Sequence, residues 1–281
     1  GLAAVALLLV SGSRAPAIPT VAPRPSPTAA PAPAPAAPLP RLLSETGFFD
    51  ENPRRFVYSP QYPLWSDGAV KRRFCSLPEG EAIDGSRPDD WQLPTGTRFW
   101  KEFSFAGRRV ETRFSEKQAD GAFRFATYRW DDELHDGVLV PEQGERGVHE
   151  LAPGVQHDLP SRADCRACHD GRRSSVLGFG ALQLSPDRDP LAPHAETPSA
   201  EALDLRELVQ RGLLRHLPPA LLEQSPRIAA ASPTARAALG YLFGNCSGCH
   251  NRSGPLADVG LDFDQLVGAD AALGNGALAS S

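Results

Sequence analysis

Apolar and polar positions alternate along three consecutive runs: TRFWKEFSF from Thr97, RRVETRFSE from Arg108 and AFRFATYRW from Ala122. Each is rich in aromatic or β-branched residues, and a period of two is the mark of a half-buried strand. AGR and KQADG separate the runs and carry turn residues, so two successive hairpins in an antiparallel sheet are expected, most simply as part of a β-sandwich. The four tryptophans Trp65, Trp91, Trp100 and Trp130 all fall within residues 41–160, where no convincing helical stripe occurs. This stretch reads as a β-rich domain in which most of the tryptophans are core.

Beyond residue 160 the pattern changes. Leu205, Leu208, Val209, Leu213 and Leu217 form one apolar stripe in the stretch 199–224, with Ser199 as cap, Pro218 as stop and Gly212 as an interior weak point. A second helix is expected from Ser232, with Pro233 at its first position and Ala238, Tyr241 and Leu242 at helical spacing. Ser161 is placed to cap a short turn carrying Arg162 to Cys168. The expected fold class is therefore α+β, an N-terminal antiparallel β-sandwich-like domain followed by a mostly helical region. Its divisions are 41–160, then 161–231 with the helical connector, then 232–281.

The chain opens differently. Leu2 to Val10 is apolar, and Ala15-Pro16-Ala17 fits a small-x-small cleavage site, so residues 1–17 read as the remnant of an export signal. Ten prolines lie between Pro16 and Pro40, making 18–40 a Pro/Ala-rich extended linker. A periplasmic or otherwise exported location is expected, with a membrane tether through the N-terminus left open. The formal net charge of −5 gives no electrostatic case for nucleic acid or an anionic membrane surface.

The chemistry is carried by cysteine. Four of the five cysteines lie in CRACH, 165–169, and CSGCH, 246–250, while Cys75 is left over as a buried thiol on a strand. On a helical turn, residues i and i+3 share a face, so both sulfurs reach one flat ligand and the next histidine points to its centre. This is the pattern of covalent haem attachment. Cys165 and Cys168, and again Cys246 and Cys249, would join the porphyrin, while His169 and His250 would be the proximal iron ligands. Two covalently attached haem c groups are expected. A zinc site of four thiolates usually has shorter separations and no histidine fixed after each pair, and a redox CxxC lacks its βαβ setting.

PLWSDGA at 63–69 with Lys71 and Arg72, Gly96-Thr97 with Lys101, Pro160-Ser161-Arg162 before the first motif and Asn245-Cys246 in the second form a combined pattern. It resembles a family of exported bacterial di-haem c-type cytochromes with a β-rich N-terminal region, over most of residues 58–263. The resemblance implies electron transfer between redox partner proteins and gives no substrate. The segment from Ser232 is similar to the first helix of a class I cytochrome c domain. By that likeness the Pro255 carbonyl is expected to receive the His250 ring N–H.

The chain holds no methionine, the usual sixth ligand of such a domain. Only 31 residues follow His250 (281 − 250), so the expectation is that the second haem domain is incomplete and its methionine lies beyond Ser281. For the first haem the expected distal ligand is His216, at the end of the connector helix, with His194 and His157 behind it. The leading function is a single-electron carrier rather than a catalyst. The alternatives are a di-haem peroxidase or oxidase with one open iron position, or a cytochrome subunit docked by its β-domain onto a dehydrogenase or a glycan.

Overall fold

The computed structural model describes residues 38–133, 135–170 and 174–268. The stretch read as an export signal, most of the expected linker and the residues beyond 268 lie outside them. In chain order the strands are β1 (Arg55–Tyr58), β2 (Val70–Ser76), β3 (Ile83–Asp84), β4 (Arg98–Phe105), β5 (Arg108–Lys117), β6 (Phe123–Trp130), β7 (Gly137–Leu139), β8 (Glu145–Ala152), β9 (Val155–Leu159) and β10 (Leu214–Arg215). The helices are α1 (Arg162–His169), α2 (Leu205–Gln210), α3 (Ala220–Glu223) and α4 (Pro233–Asn245).

The alternating runs form the centre of a six-stranded sheet in the order β1-β2-β4-β5-β6-β7, antiparallel throughout. Ala106 and Gly107, with φ of 46° and 80°, make the two-residue turn between β4 and β5, a left-handed pair that matches the strand twist. Register assigns the faces. Phe74, Trp100, Phe114 and Ala126 stand opposite one another across β2, β4, β5 and β6 and pack with Leu43, Phe48, Tyr128 and Trp130. The ring N–H of Trp100 donates to Thr46 Oγ1 at 2.9 Å, and that of Trp130 to Thr112 Oγ1 at 3.0 Å. These bonds satisfy the polar edges of two of the three buried indoles, Trp91 being the third. Trp65 is the exception among the tryptophans, 47% exposed.

On the opposite face Phe56, Tyr58, Cys75 and Phe99 meet Leu184, Leu205, Leu208 and Leu214 from the later part of the chain. Phe179 is the hub of this layer, with ring centroids 6.3, 4.9, 5.2 and 5.1 Å from Phe56, Tyr58, Trp91 and Phe99. A parallel pairing of β10 with β3 forms a separate two-stranded sheet that joins the same segment to the stretch between β2 and β4.

Two expectations are corrected. Among the described residues no second large sheet packs against this one, because its other layer is built from turns and short helices, with two-stranded sheets beside it (β10-β3 and β8-β9). The later chain is likewise not a mostly helical haem region: the described residues hold four short helices, the longest being the 13-residue α4. The expected long connector helix is only Leu205–Gln210, begun by Asp204, whose carboxylate accepts from the N–H groups of Arg206 and Glu207. Ser199 lies outside it. Gly212 adopts φ 66° and ends the run, and Pro218 and Pro219 prevent its renewal except as the single turn α3. The stripe leucines are buried nonetheless, with Leu205 and Leu208 at 0% exposure. Their spacing reflects burial against the sheet rather than one continuous helix.

Candidate functional site

The first motif rides on α1. Ser161 accepts from the Asp164 N–H at 3.0 Å, and Asp164 Oδ2 accepts from the Ser161 N–H at 2.9 Å, a reciprocal cap that starts the helix beside the end of β9. No residue of α1 is buried, so its place comes from its ends rather than from an apolar face. Cys165 is half-buried, Cys168 exposed, and neither is in a disulfide; burial raises the Cys165 pKa against the pull of Arg113. His169 packs on the Phe125 ring, with centroids 4.8 Å apart, and its Nδ1 lies 2.5 Å from the Ser175 carbonyl. With Nδ1 donating there, the orientation of the ring is fixed.

The second motif begins where α4 ends. Ser232 Oγ accepts from the Ala235 N–H at 3.1 Å, and Pro233 occupies the first turn, as the sequence predicts. Cys246 caps the other end. The His250 N–H reaches the Cys246 carbonyl at 2.9 Å and that of Cys249 does so at 3.1 Å, so the motif closes as one more helical turn. The seat of α4 is the loop that leads into the WSDGA segment. Gly240 faces the Tyr62 ring and Gly244 the Tyr62 backbone, with no room at either place for a side chain. Asn245 accepts from the Trp65 N–H at 2.8 Å and donates to the Tyr241 carbonyl at 3.0 Å. The expected Pro255 bond is absent: His250 Nδ1 is buried without a hydrogen-bond partner, its ring against Phe263 at 5.4 Å.

Both motifs fit a covalently attached haem. Each holds two cysteines outside any disulfide and a following imidazole on one helical turn, and one imidazole is pinned through Nδ1 in the way an iron-ligating histidine requires. Among the described residues no group of three or more His, Cys, Asp or Glu side chains is gathered for a metal ion. The four motif cysteines are therefore not assembled as a tetrathiolate.

The three distal candidates are scattered. His216 is not at a helix end but follows β10 with φ 58°. Its side chain is 69% exposed and its Nδ1 is 3.1 Å from Asp84. His194, also at φ 58°, lies exposed between the rings of Trp65 and Tyr241, 6.3 and 6.1 Å away. His157 is buried on β9, with Nδ1 2.8 Å from Asp67 and Nε2 3.1 Å from Glu111. Both its nitrogens are committed to carboxylates.

That last cluster is one that motif reading passed over. Asp67, at φ 52° in the WSDGA turn, reaches His157, and Glu111 is shared between His157 and Arg113, the latter bond being 2.7 Å. Burial disfavours charge on His157, but Glu111 and Asp67 outweigh it and raise its pKa. Glu111 likewise has its pKa lowered despite burial, chiefly by Arg113. The network lies behind the first motif, since Arg113 senses Cys165 and Cys168. Glu111 and Arg113 occupy the polar half of the β5 alternation, so nothing in the motif spacing signalled it.

No family model, curated protein or solved structure matches this chain.

Proposed function

We propose that the chain is an exported di-haem c-type cytochrome that passes single electrons between redox partner proteins, as its resemblance to that family implies. The observation that carries the reading is the first motif: Cys165, Cys168 and His169 on one short helix, with His169 Nδ1 held by the Ser175 carbonyl. A haem c supplies a reversible one-electron couple at its iron. The chain's own residues would do the rest. The four motif cysteines anchor the porphyrins, the Ser175 carbonyl orients His169 and makes it a stronger donor, and Phe125 fixes the ring plane. At the second motif Phe263 restrains His250.

The test is the exported chain, made in cells able to attach haem. Two haems per chain should survive denaturation and acid–acetone extraction; complete extraction would refute covalent attachment. A peroxidase or oxidase with one open iron position is favoured by a separate observation, that both nitrogens of His157 are engaged and His216 is bound to Asp84 at the surface. Low-spin spectra at both irons support the carrier; a high-spin iron at one supports the enzyme.

A further inference from the structure

The sheet register lines up three cations that nothing balances at the centre. Arg73 on β2, Lys101 on β4 and Arg113 on β5 stand directly opposite one another, so their side chains leave the same face about 5 Å apart, where like charges repel. The outer two are neutralised. Arg73 forks onto Glu196 at 2.6 and 3.2 Å, and Arg113 onto Glu111 at 2.7 and 3.1 Å. Lys71, one pleat from Arg73, donates to the Leu64 carbonyl at 2.9 Å.

Lys101 has no ion pair or hydrogen bond of this kind among the described residues, and its ammonium sits 4.9 Å from the centre of the Phe103 ring. Burial, then Arg73, Arg113 and Lys71, drive its pKa well below the ordinary lysine value, with Glu196 opposing weakly. Lys101 and Arg73 face a cleft. Its other walls are the loop after the first motif, from Ser174 to Gln183, and the end of α4 at Phe243 and Gly244, where the second motif begins. Of the two carboxylates on its rim, Asp89 accepts from the N–H groups of Val267 and Gly268, and Asp264 stands on the same wall as Leu266.

We propose that Lys101, flanked by Arg73, is the floor of a carboxylate-binding site opening into this cleft. A carboxylate there would neutralise the one uncompensated charge of the row, which explains why a sheet would keep three cations in register. Two sources share that chemistry: a propionate of a porphyrin attached at one of the motifs, and a free carboxylate from solution. The site stands without a haem; only the first source rests on the covalent-haem reading.

The chain has three lysines, Lys71, Lys101 and Lys117, so carbon-13 lysine spectra of the purified, reduced protein resolve the Lys101 titration. If a propionate fills the site, Lys101 titrates close to the ordinary lysine range, ignores added succinate, and Lys101→Met lowers the potential of one covalent haem while haem content stays the same. If a free carboxylate fills it, Lys101 titrates far below that range until succinate is added, then moves up towards it. Absence of covalent haem sinks the cytochrome reading yet leaves this second arm able to support the site. The proposal is overturned if succinate leaves a low Lys101 titration unmoved. It is equally overturned if Lys101 titrates normally, succinate has no effect, and Lys101→Met shifts no potential.

Discussion

His157 holds its proton between Asp67 and Glu111, and its pH behaviour follows from that placement. The folded-state pKa lies above the unfolded value of about 6.5. Its contribution to stability is therefore complete below the unfolded pKa and is lost as pH rises through the folded one. Glu111 works in the opposite sense, with a lowered pKa whose contribution disappears as pH falls through it. His157→Gln should cost about 3 kcal/mol near pH 6, the scale of removing one partner from a buried ion pair. The difference from the parent should shrink towards alkaline pH; urea unfolding from pH 6 to 9 checks this, and a pH-independent difference would contradict it. The sequence offered His157 as an iron ligand because a histidine near a haem motif is the natural suspect. Its partners lie 90 and 46 positions away, and no local pattern brings them to it.

At the level of elements, legibility followed the range of the forces. β4, β5 and β6 were readable because alternation and turn chemistry act within a few residues of one another, and α4 because Ser232 and Pro233 begin it locally. The sandwich and the long connector helix were not, since one depends on what covers a sheet and the other on whether six leucine-rich residues continue past a glycine. Phe179 shows what supplies the second layer instead: a single aromatic on the loop after the first motif, packed among four other rings. Phe179→Ala should destabilise the chain by about 3–5 kcal/mol, measured by chemical denaturation. Ser161→Ala removes the reciprocal cap of α1 and should cost about 1 kcal/mol. Hydrogen exchange should show the loss as faster opening confined to residues 162–169.

For the molecule as a whole, the motifs and the scaffold are separable to different degrees. α1 buries none of its residues, so on the proposed cytochrome reading Cys165→Ser with Cys168→Ser should remove one haem, keep the other, and leave the thermal midpoint of the sheet nearly unchanged; a chain that fails to fold would show the first motif to be structural. The second motif has no such independence. Tyr62 is gripped between α4 and the later loops, its hydroxyl donating to Asp189 at 3.1 Å and accepting from Arg236 at 3.3 Å, across 174 positions of sequence. A contact so distant forms only after a long loop has closed, which makes it a late event in folding. During synthesis the β4–β6 meander can take shape from neighbouring residues alone, while α4 waits for its glycines to find the Tyr62 ring. Time thus separates the two motifs: the turn that carries Cys246 and Cys249 takes its place only when α4 docks, and a modification made before that step must leave Gly240 and Gly244 free to close on Tyr62.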